Sequence, residues 1–252
     1  MKTESHNKIV DYLRQIPSER VFLNFKNTSY TFGHMLGLCT VLKSRFPELV
    51  SKSCAILSED RESLALYLPA LDAICSHIFL QPDDIGDKES ELYASAAIDF
   101  KINLRNGKIS SVEKITRLDS LEKRVKVSNS YILATSGTTG EPKLASYSLY
   151  SLTATAQKNI ARGTEFIWGL SYDINRFAGL QVYLQALVAG SRLVVPSKNE
   201  TIATLIQLYV DNHVNCLSAT PSFWRKALMV PSHKRVPLKR ITLGGRLAIK
   251  IF

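Results

Sequence analysis

Residues 53–81 read SCAILSEDRESLALYLPALDAICSHIFLQ, and this stretch decides the fold class. Ser53 to Leu57 is an apolar run short enough for a buried strand. Arg61 to Ile74 carries Leu64, Leu66, Leu68 and Leu71 at helical intervals, with Pro69 inside it predicting a kink. Ser76 to Leu80 is again strand-like. Strand, helix and strand in this order form a βαβ unit, which requires a parallel pair of strands and a right-handed crossover.

The same alternation extends in both directions. Upstream, Ile9 to Ile16 predicts a short helix ended by Pro17, and Val21 to Phe25 a strand. Asn27-Thr28-Ser29 predicts a turn, and Thr31 an N-cap for a helix through Phe46. Downstream, the acidic and polar residues 81–90 predict an exposed loop. Phe100 to Leu104 and Lys108 to Val112 flank Arg105-Asn106-Gly107, a hairpin signal. The charged run Leu118 to Val125 predicts a connector, which divides the chain into an α/β subdomain over residues 1–125 and a second over 126–252. In the second, Tyr131 to Thr135 is a strand, Leu144 to Tyr147 is extended, and Ser148 caps a helix through about Ala161. Leu180 to Val188 and Ile202 to Asn212 predict helices, with Arg192 to Val195 and Val214 to Ser218 as strands. A short helix from Pro221 to Met229 and a strand Ile241 to Leu243 complete the pattern. The class is α/β, with layered sheets flanked by helices.

Composition excludes several functions. With 252 residues, 45% hydrophobic and 21% charged, the chain can bury a substantial core and is neither a disordered tail nor a rod. Its net charge of +10 favours anionic partners. Nucleic acid is not the expected one, because no helix-turn-helix, zinc module or RNA-binding aromatic pattern is present. Cys39, Cys54, Cys75 and Cys216 are scattered without zinc spacing, and the five histidines form no metal or triad pattern, so no metal site is expected from protein ligands. A serine-hydrolase elbow is absent. The start of the chain has no secretory h-region. The longest uncharged apolar stretch, Phe177 to Ser191, is short for a bilayer span and carries Gln181 and Gln185. A soluble, cytoplasmic protein is therefore expected.

Chemistry concentrates in Thr135-Ser136-Gly137-Thr138-Thr139-Gly140-Glu141-Pro142-Lys143, directly after an apolar strand. Glycines let backbone N–H groups converge on an anion, hydroxyls donate further hydrogen bonds, and a lysine supplies a point charge. This is a polyphosphate cradle, although not a Walker A loop, whose spacing it does not satisfy.

The string TSGTTGEPK resembles the signature phosphate loop of the AMP-forming adenylating enzymes, the superfamily of acyl-CoA synthetases, luciferases and peptide-synthetase adenylation domains. Other landmarks follow in the family's order: Ser29-Tyr30-Thr31-Phe32, then Cys54 to Leu57 and Ile78 to Pro82, then Phe177 to Gln181 followed by Ala189-Gly190-Ser191. Ser218-Ala219-Thr220-Pro221-Ser222-Phe223-Trp224 and Leu243-Gly244-Gly245 complete the set. The resemblance implies ATP-dependent adenylation of a carboxylic acid, with Mg²⁺, followed by transfer of the acyl group to coenzyme A or to the phosphopantetheine of an acidic acyl carrier protein. It assigns phosphate binding to Thr135, Ser136, Gly137, Thr138, Thr139, Gly140 and Lys143. Arg176, Phe177, Gly179, Leu180, Gly244 and Gly245 become candidates for the acyl and adenine pocket, with Tyr183 and Phe223 as further wall candidates for an aryl or medium acyl group.

The sequence departs from the family pattern at three places. Leu144 follows the loop lysine where the family usually has glycine, and Arg176 stands where it commonly has histidine or an aromatic residue, available to an acidic substrate or to Asp173. The residues after Gly245 no longer follow the pattern, which places the expected catalytic residues and the C-terminal lid beyond Phe252. The expectation is an N-terminal part of an acid–thiol ligase that is incomplete for catalysis. The alternative is a non-catalytic nucleotide- or partner-binding remnant of the same fold.

Overall fold

A computed structural model of the chain describes residues 8–116, 131–136, 142–244 and 248–249. In chain order the elements begin with α1 (Ile9–Leu13), the hairpin β1 (Val21–Phe25) and β2 (Thr28–Thr31), and α2 (Phe32–Arg45). The βαβ unit follows as β3 (Ser53–Ser58), α3 (Arg61–Ile74) and β4 (His77–Leu80). Then come α4 (Glu89–Ser95), β5 (Phe100–Arg105), β6 (Lys108–Lys114), β7 (Tyr131–Ser136) and β8 (Pro142–Tyr147). The remainder comprises α5 (Leu149–Thr153), β9 (Ile167–Gly169), α6 (Phe177–Val188), β10 (Arg192–Val194), α7 (Ile202–Asp211), β11 (Cys216–Ala219), α8 (Pro221–Leu228), β12 (Arg240–Leu243) and β13 (Ala248–Ile249).

The strands form two sheets, in the orders β13-β12-β11-β9-β10-β1-β2 and β6-β5-β3-β4-β7-β8. Each has a parallel centre closed on both sides by an antiparallel strand. Central strands are apolar on both faces, as parallel strands covered by helices must be: every residue of β11 and all but one of β3 are buried. The main core cluster joins residues of both sheets to α1, α2, α3 and α6, so these helices lie between the sheets. A second cluster holds α4 against the outer face of the β3–β4–β7 sheet, and a third holds α7 and α8 against the outer face of the other. Five layers result. Both sheets draw strands from both halves of the chain, since β1 pairs with β10 and β7 with β4. The expected division after residue 125 falls outside the described residues.

Local signals explain most elements. Thr31 caps α2, its Oγ1 accepting from the His34 N–H at 3.1 Å, and Asp60 caps α3, accepting from Ser63 N–H at 2.6 Å. Asn106 and Gly107 both adopt positive φ (50° and 67°), the backbone a two-residue hairpin needs. Four expectations are corrected. The turn before β2 is at Lys26-Asn27, so Thr28 and Ser29 are strand residues paired with Phe25 and Asn24. Part of the stretch read as a loop over 81–90 is helical, and α4 buries Leu92 and Tyr93. The helix capped by Ser148 ends at Thr153, because after Leu152 no apolar stripe continues through Thr155, Gln157 and Lys158. Finally, α6 starts three residues earlier than its periodicity suggested, at Phe177.

Candidate functional site

The phosphate-loop residues sit at the open end of the β7–β8 hairpin. Register pairs Thr135 with Lys143 and Ser136 with Pro142, and the Thr135 hydroxyl donates to the Lys143 carbonyl at 3.1 Å. Gly137, Thr138, Thr139, Gly140 and Glu141 connect the two strands and lie outside the described residues. Alternation along β7 fixes the direction of the site. Ile132 and Ala134 belong to the outer cluster, whereas Tyr131 and Leu133 belong to the core between the sheets. Thr135 continues the second series, and Lys143 stands directly opposite it. Both therefore lie on the face turned toward the other sheet. Lys143 is exposed and makes no ion pair with the described residues.

In the other sheet, strands β11 and β12 run parallel, and the C-terminal ends of such strands are where open α/β sheets bind ligands. Gly244 follows β12 with φ 55°, a left-handed conformation that favours glycine, and its N–H donates to the Ala219 carbonyl at 3.1 Å. Thr220 follows β11 and caps α8 by accepting from Phe223 N–H at 3.1 Å. The Ser171 hydroxyl donates to the Ser218 carbonyl, tying the segment after β9 to the end of β11. Burial of neighbouring Tyr172 pushes its phenol up, so it stays neutral and able to donate. Gly245 lies outside the described residues.

The candidates around α6 separate into different roles. Arg176 donates through Nη2 to both carboxylate oxygens of Asp84 at 2.5 Å, while Asp173 is taken by Arg61 at 2.7 Å. Phe177 stacks against Tyr147 with ring centroids 5.1 Å apart, at the end of β8 away from the phosphate loop. Gly179 packs against backbone: a Cβ there would stand 2.0 Å from the Asp173 carbonyl oxygen. Leu180 and Tyr183 are fully buried between the sheets, and the Tyr183 hydroxyl donates to the Ala65 carbonyl of α3 at 2.8 Å. Phe223 is half-buried in the outer cluster with α7.

A group that sequence reading missed frames this region. Lys198 reaches both the Asp83 carboxylate (2.8 Å) and the Ser58 carbonyl (2.9 Å), and Arg61 joins Asp173 to the Ser197 carbonyl. Buried Asn175 donates to the Gln81 carbonyl at 3.1 Å. These contacts bind loops of one sheet to loops of the other beside the candidate site. Each charged member follows the C-terminal end of a strand, the one signal that could have found them. Among the described residues no cluster of His, Cys, Asp and Glu could hold a metal, and no helix is long and apolar enough to cross a membrane.

Comparison with known proteins gives a consistent result. A dimodular nonribosomal peptide synthase of Bacillus subtilis is 30% identical over 125 residues, which is 46% of this chain and 5% of that protein. AM-toxin synthetase of Alternaria alternata is 34% identical over 128 residues, 47% of this chain and 3% of that protein. The chain thus spans only a small part of the curated relatives it matches. Among solved structures, the N-terminal subdomain of Klebsiella oxytoca NpsA, in complex with 3-hydroxybenzoyl-AMSN, has a TM-score of 0.70 at 18% identity, covering 94% of this chain and 65% of that one. The o-succinylbenzoate CoA synthetase of Bacillus subtilis, in complex with its acyl-adenylate intermediate, has a TM-score of 0.72 at 16% identity, covering 96% and 69%. At these identities the structural likeness establishes the fold, a mixed α/β arrangement shared with the N-terminal domains of adenylate-forming enzymes. The AMP-binding enzyme family matches residues 52–248, most of the length of this protein, and the chain belongs to that family.

Proposed function

We propose that this chain provides the phosphate-binding part of an enzyme that adenylates a small carboxylic acid at the expense of ATP. The observation that carries the reading is the hairpin end: an exposed Lys143, without an ion pair among the described residues, stands across from Thr135 on the face turned toward the other sheet. The donor set fits a polyphosphate, with one ammonium, several hydroxyls and two glycines within nine residues. ATP, when bound with Mg²⁺, supplies the adenylyl group that turns a carboxylate into an acyl-adenylate and releases pyrophosphate. The chain's own contribution is positional and electrostatic. Lys143 neutralises phosphate charge, Ser136, Thr138 and Thr139 donate hydrogen bonds, Thr135 holds the base of the loop through its bond to the Lys143 carbonyl, and Gly137 and Gly140 admit close approach of backbone N–H groups. Gly244 and Gly245 give the nucleotide's other end a surface without side chains. Phe177 and Arg176 stand at the acid end, with Arg176 directed by Asp84.

The acceptor of the acyl group is the thiol of coenzyme A or of a carrier-borne phosphopantetheine. The names of the similar proteins support both, since peptide synthetases and a CoA synthetase are among them. Calorimetric titration with Mg²⁺-ATP tests the nucleotide reading: saturable binding should weaken at least tenfold in Lys143→Ala, with the circular dichroism spectrum unchanged. Equal affinity in the two proteins refutes the role given to the loop. Pyrophosphate release on screening small acids, with thioester formed on coenzyme A or on a carrier, identifies the substrate and the acceptor.

A further inference from the structure

A further cavity lies at the other end of the strands. It has a volume of about 720 Å³ and is lined by Lys158, Arg162, Phe166, Trp168, Ser191 and Arg240, among others, with no carboxylate among the described residues of its wall. Arg240 is the first residue of β12, Trp168 lies in β9 and Ser191 directly precedes β10. These are N-terminal positions of parallel strands, whereas Gly244 and the phosphate loop follow C-terminal ends. The cavity is thus separate from the candidate nucleotide site.

Its walls are built rather than incidental. The Arg240 guanidinium lies over the rings of Phe166 and Trp168, at 5.1 and 5.8 Å from their centroids, and donates to Gln157 Oε1 at 3.0 Å. Lys158 donates to the Tyr12 hydroxyl at 3.1 Å and lies over the same ring. Arg162 is satisfied by Glu165, but Arg240 and Lys158 have no carboxylate partner among the described residues. Ser191 closes the wall behind them and is fully buried, its backbone N–H donating to the Ala186 carbonyl at 2.9 Å. Arg20 holds two wall segments together by donating to the Ile160 and Gly190 carbonyls at 2.8 and 3.2 Å. The volume falls in the range of small-molecule sites.

We propose that this cavity binds a small organic dianion, a phosphate monoester or a dicarboxylate, through Arg240 and Lys158. Two cations without a carboxylate partner among the described residues answer two negative charges. The guanidinium, already oriented by its rings, presents its remaining N–H groups without further ordering.

The test is a titration with glycerol 3-phosphate and, separately, succinate, read by calorimetry. Fluorescence of Trp224→Phe protein, in which Trp168 is the sole tryptophan, provides the second signal. At least one probe should saturate, and the stronger of the two tells phosphate from carboxylate. Arg240→Met and Lys158→Met should each weaken it at least tenfold, while Lys143→Ala should leave it within twofold. Lys158 is exposed, so its variant carries the test even where loss of Arg240 from the two rings disturbs folding. Binding that disappears in Lys143→Ala and persists in Lys158→Met would assign the dianion to the phosphate loop and overturn the proposal. Failure of both probes to saturate the folded wild type overturns it as well. The Mg²⁺-ATP titration of Lys143→Ala reports on the nucleotide reading alone, so the two can fail independently.

Discussion

Single residues of this chain divide into those whose role is local and those fixed by what crosses over them. Gly179 is the clearest of the second kind. Its φ needs no glycine, yet the Asp173 carbonyl oxygen occupies the place of a Cβ at 2.0 Å and the Asp173 carbonyl carbon lies at 2.5 Å. Backbone cannot swing aside as a side-chain tip can, so Gly179→Ala should separate the start of α6 from the loop before it. The expected cost is about 2–3 kcal/mol, seen as a fall of roughly 5–10 °C in thermal midpoint. A midpoint within 2 °C of wild type would mean the loop relaxes freely. The sequence flagged Gly179 as a pocket residue because it stands in a family landmark; its tight contact depends on a fold that no local pattern reveals. Thr135 and Lys143 are the opposite case. Their types and spacing announced a phosphate cradle, and the hairpin register that sets them across from each other follows from two short strands separated by only five residues.

At the scale of elements, the charged contacts beside the site clamp one sheet's loops to the other's. Arg61 opens α3 and pairs at 2.7 Å with Asp173, just before α6. The Arg61 side chain is only 16% exposed, which raises this pair above an ordinary surface ion pair, but Asp173 is 48% exposed and water screens it. Arg61→Met and Asp173→Asn should each cost about 1 kcal/mol in urea unfolding, and the double variant less than the sum of the two. Strict additivity would show that the contact carries no energy of its own. None of this clamp was legible beforehand, because the partners are more than 100 residues apart and charge patterning speaks only for neighbours. The elements were mostly legible: βαβ over 53–81, the Asn106-Gly107 hairpin and the Thr31 cap are each written in a few adjacent residues. The exceptions have physical causes. Helix α4 follows an acidic run that reads as solvated, and it exists because Leu92, Tyr93 and Ala96 find the outer face of a sheet. The helix after Ser148 stops short because tertiary burial ends with Leu152 and Thr153.

On the scale of the whole molecule, the layers meet at a buried acid. Asp72 of α3 is fully buried and accepts from the Ile9 N–H of α1 at 2.6 Å and from the Tyr131 hydroxyl of β7 at 2.8 Å. Burial raises its pKa above the ordinary carboxylate value, and this outweighs the lowering by nearby Lys8 and by the two hydrogen bonds. A raised pKa means the folded state holds the proton more tightly than the unfolded chain. Stability from this group is therefore complete below the ordinary carboxylate range and is lost as pH rises through that range toward the raised value. Glu89 has the opposite sign: burial pushes it up, but hydrogen bonds from Lys101 and Gln81 outweigh burial and hold it below its usual value. Its contribution is present above the ordinary range and lost as pH falls through the lowered value. The two slopes mask each other in wild-type acid unfolding, and Asp72→Asn separates them. The amide oxygen can still accept from Ile9 and its nitrogen can donate to the Tyr131 hydroxyl, so the fold should survive. Relative to Asp72→Asn, wild type should lose stability steadily from about pH 4 upward, read as urea midpoints at a series of pH values. Asp72→Ala, which strands two buried donors, should cost about 3 kcal/mol at every pH. A wild-type protein that instead gains stability over Asp72→Asn as pH rises would show that Asp72 is ionised in the core, with Lys8 and its two donors outweighing burial.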